Sequence, residues 1–186
     1  HGIVLDDDQR NGLAAVFERI LATNLAEPRV FVHRDYHSRN LMHLPGSGNP
    51  GVIDFQDAVH GPISYDMVSL LKDAYVEWEE EIALDWLVRY WELARKSGLP
   101  VAADFGEFYR AYEWMGVQRH VKVLGIFARL WHRDGKDGYL RDMPLVARYL
   151  RRACERYAEL SPLRHLLDRV EDKITVLGYT LERREL

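Results

Sequence analysis

Apolar residues follow a helical period along most of the chain and a strand-like period in only one short part of it. Leu13, Val16, Phe17, Ile20 and Leu21 fall at i, i+3, i+4, i+7 and i+8, which is one face of a helix. The pattern predicts a helix from about Asp7 to Leu25, stopped before Pro28, with Asp6, Asp7 and Asp8 supplying the cap and first-turn charge. Then the period changes. Val30-Phe31-Val32 reads as a buried strand, Leu41 to Leu44 as a second, Pro45 to Gly51 as turn chemistry, and Val52-Ile53 as a strand running into Asp54. Together these segments predict a small hairpin, followed by a loop from Phe55 to Pro62. From there on the helical period returns. Helices are predicted from Ser64 or Tyr65 to about Tyr75, from Glu79 to the Ser97-Gly98-Leu99-Pro100 stop, from Asp104 to the glycines at 135 and 138, from Pro144 to about Leu160, and, after Ser161-Pro162, over a shorter stretch to about Lys173. The last residues are polar and are expected to fray.

Composition narrows the class of protein. The 186 residues are 47% apolar and carry a formal charge of −4 with both signs interspersed. That is enough apolar material for one good core, which excludes a disordered chain. It also lacks the basic footprint of a nucleic-acid binder. No apolar run reaches the ~18 residues of a membrane span, so neither nucleic acid nor membrane is an expected partner. The start is acidic and has no signal-peptide core. The single cysteine, Cys154, sits in a helical pattern and reads as core filler. A chain without a disulfide suits a reducing compartment, so a cytoplasmic location is expected.

Chemistry concentrates between Phe31 and Asp57. His33-Arg34-Asp35 is followed five residues after Asp35 by Asn40, and Asp54 closes the hairpin on its other side. This arrangement suits phosphoryl transfer, which needs a carboxylate to orient a hydroxyl and hard oxygen ligands to hold Mg²⁺ on nucleotide phosphates. Asp35 is placed for the first task, Asn40 and Asp54 for the second. The octad His33 to Asn40 fits the H-R-D-x-x-x-x-N loop of kinases, and a strand ending in Asp54-Phe55 after a hairpin of suitable length reinforces it. Each residue has a plainer reading too: a turn-bonding Asp, a strand-entry Asn, a strand-end cap.

These motifs resemble the C-terminal lobe of the aminoglycoside phosphotransferase/choline kinase superfamily. The resemblance covers about Leu13 to Leu160. Gln56 stands where protein kinases have the glycine of D-F-G. Within the superfamily, HRDYHSRNLM, GVIDFQDAVHGPISYDMVSLLKDAY and WMGVQRHVKVLGIFARL are most similar to the bacterial kinases of cell-wall sugars, which phosphorylate N-acetylmuramate and N-acetylglucosamine at the anomeric hydroxyl. The resemblance implies a mainly α fold with a small β-hairpin, a protein-kinase-like C-terminal lobe. Residues 31–57 would be its catalytic and metal hairpin and 79–173 its helical subdomain. ATP would be the co-substrate, Mg²⁺ the cofactor and a small sugar the acceptor.

In that scheme Asp66 braces the catalytic loop through backbone N–H groups, with helix capping as its plainer role, and His33 is scaffold. His37, Arg39 and Asp57 are candidates for contact with acceptor, phosphate or metal waters. Trp114, Gln118, Arg119 and His120 are candidates for an acceptor pocket, with Arg119 able to meet a muramyl carboxylate. Ordinary helix packing is the alternative for those four. Neither a Gly-rich phosphate loop nor a V-A-I-K-like strand precedes Phe31. A nucleotide-binding N-terminal lobe is therefore expected to be missing from this chain, which alone should be inactive. Two other readings stay open: an aminoglycoside or other small alcohol as acceptor, and a non-catalytic binding or regulatory lobe.

Overall fold

The acidic start of the chain forms the cap its spacing predicts. In the computed structural model, which describes residues 2–176 and side chains as far as Glu171, α1 spans Asp7–Leu25. The Asp6 carboxylate accepts from the Gln9 N–H at 2.8 Å, while the Gln9 side chain accepts from the Asp6 N–H, a reciprocal capping box. The buried stripe of α1 is Leu13, Val16, Ile20 and Asn24. Phe17 and Leu21, expected on the same face, are 39% and 52% exposed. The face that reaches the core is thus the narrower i, i+3, i+7 stripe.

Strand pairing differs from the sequence reading in one respect that shapes the site. The predicted hairpin is present: β2 (Leu41–Met42) pairs antiparallel with β3 (Gly51–Val52). However, β1 (Arg29–Val32) does not join it. It pairs instead with β4 (Val59–Pro62), inside the stretch predicted to be loop, with Arg29 opposite Pro62 and Val32 opposite Val59. Gly61 and Pro62 hide this strand in the sequence. Pro62 is tolerated because it sits at the ladder's end, where its missing N–H costs little. Gly61 packs against Val32, whose Cγ2 would lie 3.4 Å from an added Cβ, an ordinary contact. The whole segment between Val32 and Val59 is therefore an excursion closed at its base by a two-stranded ladder.

Helices account for the rest. The first of these, α2 (Tyr65–Leu71), stops earlier than expected, because the Asp73 side chain takes the Tyr75 N–H at 2.9 Å and turns the chain. α3 (Glu80–Lys96) and α4 (Phe105–Asp134) follow the predicted limits, and α4 is capped by Asp104 and ended by Gly135 at φ 65°. α5 (Met143–Arg156) gives way to an extended Tyr157 and a 3₁₀ turn before α6 (Ser161–Val176). The predicted fraying of the last residues lies outside the described ones.

At about 45 Å, α4 is long enough to serve two cores. One side of it, Trp114 and Val117, packs with Leu13, Val16 and Ile20 of α1 and with Leu150 and Leu160. The other, Phe108, Tyr112 and Met115, packs with Met67, Val68 and Leu71 of α2 and Leu87 of α3. Between them Glu113 is buried and receives Lys72, the residue after α2, and Arg156 of α5, the latter at 2.8 Å. Burial holds the Lys72 ammonium below its ordinary pKa, and Glu113 opposes that shift.

The junction of α1 with α2 rests on Glu27. Its buried carboxylate accepts from the Ser64 N–H at 3.2 Å and the Ser64 hydroxyl at 2.9 Å. Burial outweighs both bonds and raises the Glu27 pKa above its usual 4.5. A raised acid pKa means that the folded state holds the proton more tightly. Its stabilising contribution is present below pH 4.5 and is lost as pH rises through the folded value. Urea unfolding of wild type and Glu27→Gln between pH 4 and 8 should therefore show wild type losing stability relative to the variant as pH rises. Parallel or oppositely sloping curves would contradict this.

Candidate active site

The chain leaves β1 into a strained turn, and carboxylates hold it there. Arg34 has φ 78°, a left-handed conformation that costs a non-glycine residue on the order of 1–3 kcal/mol at a site like this. Asp66, in the first turn of α2, offsets that cost. Its two oxygens accept from the His33 N–H at 2.7 Å and the Arg34 N–H at 3.0 Å. Hydrogen bonds to a charged group contribute about 1.5–3 kcal/mol each. Burial raises the Asp66 pKa and the two N–H groups pull it back. On the next peptide, the Arg34 carbonyl accepts from Arg119 Nη1 of α4 at 3.0 Å. The His33 ring lies 3.0 Å from the Ile53 carbonyl through Nε2. A carbonyl only accepts, so the ring carries its proton there. His33 thus ties the loop to the strand before Asp54.

Asn40 joins the two halves of the site. Its Nδ2 donates to the Asp35 backbone carbonyl at 2.9 Å and to Asp54 Oδ2 at 3.4 Å. With the amide nitrogen turned inward, Oδ1 is left as an oxygen donor. Asp54 is exposed at φ 67°, and its other oxygen accepts from Gln56 at 2.6 Å. Asp35, Asn40 and Asp54 are thereby brought to one place. Among the described residues no group of three or more His, Cys, Asp or Glu side chains could hold a metal ion by itself. Asn40 Oδ1 and Asp54 are hard oxygen donors side by side, a set that fits Mg²⁺ when phosphate and water complete the shell.

Behind the loop lies a cavity of about 140 Å³. Asp35, His37, Asp73 and Tyr75 line one side of it, and Arg119 and His120 of α4 line the other. Burial lowers the His37 pKa, and the nearby Asp73 opposes this. The Arg39 guanidinium stacks 3.4 Å from the Tyr75 ring centre. Asp57 is exposed, and its carbonyl accepts from Arg34 Nη1 at 3.3 Å.

Two expectations for α4 need correcting. Trp114 is 1% exposed inside the α1–α4 core, under Arg110 and edge-on to Tyr157. It has no face to offer a sugar. Arg119 does not present a free fork to a carboxylate. Its Nη1 is bound to the Arg34 carbonyl and Tyr65 hydroxyl, and Nη2 lies 3.9 Å from Asp35 Oδ1. It braces the loop from behind. Gln118 is half-buried with Oε1 unpartnered, and it is not among the residues lining the cavity.

Sequence reasoning missed Asp73. Its Oδ2 accepts from the Ser38 N–H at 2.9 Å, anchoring the middle of the loop as Asp66 anchors its start. Helical spacing could not have found it, because α2 has already ended at Leu71 and Asp73 lies in the turn that follows.

The chain matches the model of the phosphotransferase enzyme family over residues 3–105, more than half its length, and it belongs to that family. It is 57% identical over 173 residues to the N-acetylmuramate/N-acetylglucosamine kinase of Neisseria meningitidis serogroup B, covering 92% of this chain and 51% of that protein. The kinase of the same name from Pseudomonas putida is 47% identical over 166 residues, 89% of this chain and 48% of the relative. That from Caulobacter vibrioides is 39% identical over 139 residues, 73% and 37% of the respective chains. The chain spans about half the length of the curated relatives it matches. Among the described residues no helix is long and apolar enough to cross a membrane.

The bracing has a direct test. Asp66→Ala removes the acceptor for two N–H groups, which should cost about 1–3 kcal/mol locally. Amide exchange at His33 and Arg34 should accelerate about 10-fold or more. Unchanged protection at both would show that Asp66 does not hold the loop.

Proposed function

We propose that this chain is the catalytic and acceptor-binding half of an ATP-dependent sugar kinase. It would transfer the γ-phosphoryl group to the anomeric hydroxyl of N-acetylmuramate and N-acetylglucosamine in cell-wall recycling. The observation that carries this reading is the Asn40 side chain, bonded to the Asp35 carbonyl and the Asp54 carboxylate at once. Residues 31–57 act as the catalytic and metal hairpin and 79–173 as the helical subdomain. A nucleotide-clamping N-terminal lobe, of the kind the greater length of the relatives allows, would cover the other face of ATP. Because the reaction consumes ATP, we assign it to the cytoplasm.

In this mechanism the Asp35 carboxylate accepts the hydrogen of the acceptor hydroxyl and aims its oxygen at phosphorus. It need not be a strong base, since the transition state is loose and positioning dominates. Asn40 and Asp54 would hold Mg²⁺, which neutralises charge on the nucleotide phosphates. Asp66, Asp73 and Arg119 keep the loop from relaxing as charge develops. His33 fixes the distance between the loop and Asp54. Arg39, exposed although stacked on Tyr75, and the exposed Asp57 would meet phosphate or metal-bound water.

An aminoglycoside or other polycationic acceptor fits less well, because Lys72 and Arg119 face the same cavity as Asp35 and Asp73. A purely regulatory lobe would have no need of the strain at Arg34 and Asp54.

In a protein of the relatives' length, Asp35→Asn should lower kcat for N-acetylglucosamine phosphorylation by about 10²–10⁴ and leave Mg-ATP affinity intact. Asp54→Ala should weaken Mg-ATP binding as well, and the 186-residue chain alone should show little turnover. Full activity in Asp35→Asn would remove the assigned role.

A further inference from the structure

Helix α4 touches the catalytic loop directly where Arg119 donates to the Arg34 carbonyl at 3.0 Å. A second route from α4 to the same loop runs through Lys72 and Asp73. Asp73 is 2% exposed, and its two oxygens accept from the N–H groups of Tyr75 in its own turn and Ser38 in the loop, both at 2.9 Å. The Tyr75 bond spans two residues and forms wherever the turn sits. The Ser38 bond spans 35 residues. It forms only if the end of α2 is held at a set place relative to the loop.

Lys72 is built to hold it there. It is the residue at which α2 stops, with φ −122° and ψ 45°, and its N–H donates to the Val68 carbonyl at 3.0 Å. Its side chain then leaves α2 and crosses α4. The ammonium ends on Glu113, 4.8 Å from the centre of the Tyr112 ring. On the way it passes Gly116, where an added Cβ would lie 3.3 Å from Nζ and 3.5 Å from Cδ. Glycine is unfavourable inside a helix, and here a larger residue would crowd the path of the lysine. The Glu113 side chain is 3% exposed and is held from its other oxygen by Arg156 of α5. Lys72 is thus pinned at both ends, one residue before Asp73. An apolar pair would join the two helices without the desolvation cost of burying charge. What the ion pair adds is a fixed position.

Glu113, Gly116 and Arg119 fall three residues apart, along one side of α4. That side reaches the loop before and after Asp35: at Arg34 through Arg119, and at Ser38 through Glu113, Lys72 and Asp73.

We propose that Lys72 and Glu113 are positioning residues of the catalytic loop, acting through Asp73 on the Ser38 N–H, so that α4 clamps the loop on both sides of Asp35. The ammonium of Lys72 is committed to Glu113, and its part in the cavity it lines is to hold the loop rather than to bind a ligand. The consequence for turnover rests on the sugar-kinase reading above; the clamp itself does not.

Lys72→Met tests this in a protein of the relatives' length. It keeps the length of the side chain and leaves Glu113 paired with Arg156. Amide exchange at Ser38 should accelerate about 10-fold or more, while His33 and Arg34, held separately by Asp66, keep their protection. The rate of N-acetylglucosamine phosphorylation should fall in kcat by about 10–100-fold, with Mg-ATP affinity unchanged. Because the pair acts through Asp73, adding Lys72→Met to Asp73→Asn should lower kcat by less than about twofold further. Gly116→Ala, which favours the helix but presses on Lys72, should also accelerate exchange at Ser38, and serves if Lys72→Met fails to fold. Intact Ser38 protection in folded variants, equal acceleration at Ser38, His33 and Arg34, or fully additive losses in the double variant would overturn the clamp and leave the sugar-kinase reading standing. Failure of the wild type to phosphorylate any sugar would overturn that reading, and exchange at the three amides would still decide the clamp.

Discussion

A single carboxylate, Asp66, holds two successive backbone N–H groups and keeps Arg34 in a left-handed conformation it would otherwise leave. Most of what the site does depends on that constraint. The residues after Arg34 can then run back across the hairpin mouth, so that Asn40 reaches both Asp35 and Asp54. The β1–β4 ladder closes the base of the excursion, and Asp73 fixes its middle through Ser38. The loop is therefore defined by groups outside it, and all but one of the side chains that anchor it lie on or just after α2. Its own sequence supplies the chemistry, and its neighbours supply the shape.

The exception is Arg119, which reaches the Arg34 carbonyl from α4. α4 has one face in each of the two cores, so a displacement of it would disturb both. Its buried polar residues follow one pattern. Glu113 gathers Lys72 from the C-cap of α2 and Arg156 from α5, Arg119 grips the loop, and His120 lines the cavity. Buried charges are costly unless paired. Here the pairings join different helices, which fixes their relative register as well as satisfying the charges.

Much of this was legible in the sequence where local rules and tertiary demands agree. The Asp6 cap, the limits of α3 and α4, the β2–β3 hairpin and the convergence of Asp35, Asn40 and Asp54 all follow from spacing, turn residues and a motif whose chemistry dictates its geometry. What was hidden depends on partners far along the chain. β4 carries Gly61 and Pro62, which argue against a strand until β1 is seen beside it. The early end of α2 comes from the Asp73 side chain, invisible to periodicity. Trp114 looked like a pocket residue because residue type alone does not say which side of a helix faces the core, and Arg119 does line the cavity but spends its fork on the loop. Phe17 and Leu21 show the reverse error: apolar residues on the expected face that the described structure leaves exposed.

The central claim is that Asn40 and Asp54 hold the metal of a bound nucleotide beside Asp35. Paramagnetic Mn²⁺ in place of Mg²⁺ reads that arrangement directly. In a protein of the relatives' length, Mn²⁺-ATP should broaden the Asn40 side-chain amide and the Asp54 and Gln56 backbone amides most strongly, with Asp35 close behind, and Asp54→Ala should abolish the effect. Broadening centred on any other part of the chain, with Asn40 left sharp, would contradict the account.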